Sequence, residues 1–90
     1  MNIVRSASAG TLESSDAYIE IEPADGGQID LHLDSVVEEQ FGDAICASVH
    51  EVLRENGVTA ARIRVVDRGA LDCVIRARVE TAVLRGKGEE

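Results

Sequence analysis

Two runs of strict alternation set the limits on this fold. Ala17, Ile19 and Ile21 alternate with Tyr18, Glu20 and Glu22, and after a break Ile29, Leu31 and Leu33 alternate with Asp30, His32 and Asp34. A period of two puts every apolar side chain on one face of an extended chain, so each run is a half-buried strand that needs a covering layer. Between them, Pro23-Ala24-Asp25-Gly26-Gly27 fixes one φ and supplies glycines for positive φ, the chemistry of a turn. The two runs are therefore expected to pair as a hairpin.

The covering layer is helical. Ser35-Val36-Val37-Glu38 fits a capping box, with the Ser35 hydroxyl on the third helical N–H and Glu38 reaching back. From there Val37, Phe41, Ala44, Ile45, Ser48, Val49, Val52 and Leu53 recur at steps of three and four, up to a stop at Asn56-Gly57. Gly42 inside this helix costs about 1 kcal/mol relative to Ala, and its use is close packing. Ala61, Ile63 and Val65 alternate with Arg62 and Arg64, a third strand whose arginines are expected to pair with Glu20, Glu22 or Asp30. After a turn at Asp67-Arg68-Gly69, residues 70–85 fit either period. Sixteen residues without Gly or Pro, rich in Ala, Arg and Leu, decide for a second helix.

The expected fold is α+β: a small antiparallel sheet of about three strands with two helices on one face, in the order strand, strand, helix, strand, helix. It forms one domain over residues 16–85, after a flexible N-terminal segment, 1–15, and before a frayed tail, 86–90. Ninety residues bury only about 60 to 70% of the surface exposed on unfolding, which leaves little interior for a catalytic cleft.

Composition excludes some partners. Seventeen acidic against nine basic residues give a net charge of −8, which repels nucleic acid and anionic membrane surfaces alike. No run approaches the roughly 20 apolar residues of a membrane span, and the start of the chain has no apolar signal core, so a cytoplasmic protein is expected. Cys46 and Cys73 lack metal-ligand spacing and read as buried free thiols. His32 and His50 fall on polar faces and read as solvated. Glu20, Glu22, Asp30 and Asp34 form an acidic sheet face with no calcium-loop pattern, so no metal site is expected. No catalytic residue stands out.

One stretch remains unexplained by folding. Ala9-Gly10-Thr11-Leu12-Glu13-Ser14-Ser15-Asp16 sets two hydroxyls among small and polar residues just ahead of the first strand run. By chemistry alone such a pair is a turn or a cap. Together with Glu39-Gln40-Phe41-Gly42-Asp43-Ala44-Ile45 and with Gly69-Ala70-Leu71-Asp72-Cys73-Val74-Ile75-Arg76-Ala77-Arg78, the segment resembles the citrate lyase acyl carrier protein, the gamma subunit of that enzyme, from about Ala9 to about Arg85.

The resemblance implies a carrier without catalytic residues of its own. Ser14 would be the covalent phosphodiester attachment point of 2'-(5''-phosphoribosyl)-3'-dephospho-CoA, set by Ser15 and Asp16. Ser15 stands where a glycine is usual, and is the second candidate hydroxyl. The arm would carry acetyl and citryl thioesters during cleavage of citrate to acetate and oxaloacetate, in citrate fermentation. Implied partners are the transferase (alpha) and lyase (beta) subunits, the prosthetic-group transferase and the acetate:acyl-carrier ligase.

Three alternatives stay open. The carrier subunit of malonate decarboxylase is related and uses the same type of arm, although Gly69–Cys73 looks more like the citrate lyase version. A regulatory or assembly module with nothing attached is a second reading. Leu33-Asp34-Ser35-Val36 also resembles the motif at which ordinary acyl carriers receive phosphopantetheine. Those carriers are all-helical, whereas two strand runs precede Ser35 here, and the helix cap accounts for it.

Overall fold

Across the described residues, 2–89, this computed structural model runs β1 (Ala7–Gly10), β2 (Ala17–Glu22), β3 (Ile29–Ser35), α1 (Glu38–Glu55), β4 (Ala61–Asp67) and α2 (Asp72–Lys87). The fold is α+β as expected, with four strands instead of about three. Their order is β1-β2-β4-β3.

The expected hairpin does not form. β4 inserts between β2 and β3, antiparallel to the first and parallel to the second, so the sheet is mixed and β3-α1-β4 is a parallel crossover. Charge explains the order. The outer faces of β2 and β3 carry Glu20, Glu22, Asp30 and Asp34, and pairing them directly would set like charges side by side. With β4 between, Arg64 lies opposite Glu20 and bonds it at 2.8 Å, while Arg62 lies opposite both Glu22 and Asp30 and forms ion pairs with each. These are the pairs anticipated for the two arginines. All are solvent-exposed, so they guide register more than they stabilise.

The inner face carries the core. Ile19, Ile21, Ile63 and Val65 of the sheet and Val49, Leu53, Ile75, Val79 and Val83 of the helices are each at most 2% exposed. Full burial of one such side chain contributes about 1.5–3 kcal/mol. α1 packs along β3, and α2 covers β1 and β2. The helices are joined by polar contacts: Arg76 bonds Asp72 and Glu51, and the Ser48 hydroxyl donates to Asp72.

The N-terminal segment differs from expectation. Ala7–Gly10 pairs with β2 in antiparallel register from Ala7 opposite Ile21 to Gly10 opposite Tyr18. Ile3 and Ala9 are buried, Asn2 accepts the N–H groups of Thr59 and Ala60, and the N–H groups of Val4 and Arg5 reach the Gly86 carbonyl. Small residues hid this strand, because its apolar alternation consists of alanines. Met1 lies outside the described residues.

Gly86 belongs to α2 and is buried, with Ile3 methyl groups 3.1 and 3.2 Å from where a Cβ would stand. The tail expected to fray is therefore helix as far as Lys87, closed by left-handed Gly88 and by a bond from Glu89 N–H to the Leu84 carbonyl. Glu90 lies outside the described residues.

Ser35 is not a helix cap. It ends β3, and α1 begins at Glu38 after Val37 with no side-chain cap. The Ser35 hydroxyl donates to Asp67 at 2.8 Å and accepts the Val37 N–H at 3.1 Å. No helix among the described residues is long and apolar enough to cross a membrane.

Candidate functional site

The segment Thr11–Asp16 is the loop of the β1–β2 hairpin. It closes with the Thr11 N–H on the Ala17 carbonyl at 3.2 Å. Gly10 makes that closure feasible: its φ is +90°, and a Cβ there would lie 1.8 Å from the Ala17 carbonyl oxygen. At the tip, the Asp16 N–H returns to the Glu13 carbonyl, so Ser14 and Ser15 are the two central residues of a four-residue turn. Ser15 takes φ +66°, alone in positive φ among the described residues other than glycine. This explains why glycine suits that position.

The loop is bonded on two sides. Toward the sheet, the Ser15 N–H donates to the Arg68 carbonyl at 2.8 Å and the Arg68 N–H to the Asp16 carbonyl at 2.9 Å. Toward α2, the Asp16 carboxylate accepts Arg78 Nε at 3.0 Å and Nη2 at 3.2 Å. The same carboxylate takes the Thr11 hydroxyl and the Ala17 N–H, each at 2.7 Å. Four donors hold Asp16 ionised, chiefly Arg78 and then Thr11 and Ala17, and bring its pKa from 3.8 to about 2.

Above this base both Ser14 and Ser15 are exposed, and neither hydroxyl bonds another described residue. The turn holds its backbone in place and leaves the Ser14 Oγ open to solvent. A bulky group could be attached there without displacing any packed atom.

A second feature adjoins it. The apolar stripes of α1 and α2 were expected to cover the sheet, but at their N-terminal ends Phe41, Ala44 and Leu71 are exposed. With Val37, Ala70 and Ile75 they line an apolar groove of about 340 Å³. Asp67 and Gly69 also line it, and they flank Arg68, which bonds the serine turn. Leu12 stands exposed on the loop itself.

Other candidates lie elsewhere. His32 and His50 are exposed on β3 and α1. Cys73 is exposed and Cys46 only partly buried, so the pair are free thiols but not the buried ones expected. Burial, with Asp43 and Glu38 nearby, pushes the Cys46 thiol pKa up and disfavours the reactive thiolate. The sequence named Asp16 as the setting of Ser14 but gave no anchoring role to Thr11 and Arg78, which fall in the segments that carry the resemblance, or to Arg68, which was read only as part of a turn. Arg78 carried one weak signal, a charge beside the apolar stripe of α2.

Comparison with known proteins gives a consistent picture. Residues 4–86 match the family model described as ACP: Malonate decarboxylase delta subunit (MdcD). A citrate lyase acyl carrier protein of Yersinia enterocolitica is 50% identical over all of this chain and 93% of its own length. One of Serratia proteamaculans is 52% identical over 94% of this chain and 83% of that protein, and one of Haemophilus influenzae 49% identical over 99% and 92%. Among solved structures, a chain of a Pseudomonas malonate decarboxylase hetero-tetramer in complex with malonate superimposes with a TM-score of 0.73 at 24% identity, covering 87% of this chain and 79% of that one. The two share the fold.

Proposed function

Since this chain belongs to the family of citrate lyase acyl carrier proteins, we propose that Ser14 bears its prosthetic group and that the group is 2'-(5''-phosphoribosyl)-3'-dephospho-CoA in phosphodiester linkage. The function is that of the acyl carrier subunit of citrate lyase, in the cleavage of citrate to acetate and oxaloacetate. When attached, the group supplies a thiol that holds the acyl unit as a thioester at the end of a long arm. The observation that carries the assignment to Ser14 is the exposed hydroxyl at the tip of a turn fixed by Arg68 and Arg78.

This chain's own residues provide the base of the arm. A tethered acyl group stays at high effective concentration near successive active sites, provided the anchor is firm and the attachment atom open. Asp16 and Arg78 supply the first condition, and the Ser14 side chain the second. The chain contributes no acid, base or nucleophile to citrate cleavage.

The partners are the transferase and lyase subunits, the enzyme that attaches the arm and the ligase that acetylates it, all in the cytoplasm. The uncovered apolar ends of α1 and α2 beside the serine turn suit docking of the subunits the arm must enter. Reconstitution of the complex with Ser14→Ala tests the assignment. Citrate cleavage is expected to disappear while circular dichroism is unchanged. Full activity of that variant would favour the assembly-module alternative.

A further inference from the structure

We propose that the Arg68 guanidinium is the contact for the phosphate joined to Ser14, an inference that rests on the carrier reading above. The backbone of Arg68 bonds the serine turn through both its N–H and its carbonyl, at 2.9 and 2.8 Å, which fixes its Cα beside the attachment site. Its side chain is exposed. Among the described residues, Arg54 and Arg68 are the two basic side chains with no hydrogen bond or ion pair to another residue. Arg54 lies in the last turn of α1, near the start of β4 and at the opposite end of that strand from Asp67 and the serine loop.

Four arginines of this chain, Arg62, Arg64, Arg76 and Arg78, hold carboxylates, whereas Arg68, beside the serine turn, holds none among the described residues. The two acids that adjoin Arg68 through the backbone are otherwise engaged. Asp16 is held by Arg78, and buried Asp67 accepts the Ser35 hydroxyl and the N–H groups of Gly69 and Ala70. A phosphodiester on Ser14 brings one more negative charge between Glu13 and Asp16. Arg78 already balances Asp16, so without a further cation the linkage would meet repulsion from Glu13 and from the net charge of −8. The planar fork of arginine matches two phosphate oxygens at once, and Arg68 is the cation left available there.

The test uses the ¹⁵N-labelled full chain, before and after arm attachment by the prosthetic-group transferase, with intact mass as the measure of loading. The Arg68 Nε–Hε resonance of the wild type is expected to move on loading and to return toward its unloaded position in high salt. At subsaturating donor, Arg68→Ala is expected to load about tenfold more slowly, through KM rather than kcat. Arg68→Glu should be slower still, and Arg68→Lys should recover most of the rate. A wild type loaded at Ser14 whose Arg68 resonance does not move, with Arg68→Ala loading at the wild-type rate, overturns this inference alone. A wild type that never loads overturns the carrier reading and the inference with it.

Discussion

Arg78 on α2 donates to both carboxylate oxygens of Asp16, at 3.0 and 3.2 Å, across a sequence separation of 62 residues. The bond joins the second helix to the hairpin loop that presents Ser14. Because the same carboxylate also holds Thr11 and Ala17, one side chain closes the loop and anchors it.

Acid should undo this anchor in a defined range. The folded-state pKa of Asp16, about 2, lies below its ordinary 3.8. A depressed carboxylate contributes stability that is fully present above the unfolded value and is lost as pH falls through the folded one. Asp16→Asn is therefore expected to be less stable than wild type above about pH 3.8, with the gap closing toward pH 2. Denaturant unfolding of both proteins across that range measures it. A gap independent of pH would contradict the account.

Ser15→Gly removes a side chain from positive φ. Relief of left-handed strain, about 1–2 kcal/mol, is partly offset by the greater unfolded-state freedom of glycine, about 0.5–1 kcal/mol. The variant should be as stable as wild type or up to about 1.5 kcal/mol more so, and it should still carry the arm. Loss of modification would move the attachment to Ser15.

Ser35→Ala takes a donor from Asp67, a carboxylate 1% exposed. Leaving that oxygen unpartnered is expected to cost about 1–3 kcal/mol in denaturant unfolding. The arm should remain in place. If loading fails while the fold is kept, Ser35 rather than Ser14 is the attachment site.

The elements set by bulky periodic patterns were legible in the sequence: β2, β3, β4 and both helices, along with the pairing of Arg62 and Arg64 to Glu20, Glu22 and Asp30. Strand order was legible only in the charges, which set basic β4 between acidic neighbours, while the Pro23–Gly27 turn suggested a hairpin instead. β1 escaped notice because Ala7 and Ala9 carry too little apolar surface to mark a period. Ser35 matched a capping pattern that its contact with distant Asp67 overrides. The serine loop showed its residue types but not its anchors, since Arg68 and Arg78 meet it only through the tertiary fold.

The most direct measurement is intact and peptide mass spectrometry of this protein purified from its native host. One phosphoribosyl-dephospho-CoA adduct is expected, on the peptide that holds Ser14. An unmodified chain in an active complex, or phosphopantetheine on Ser35, would contradict it.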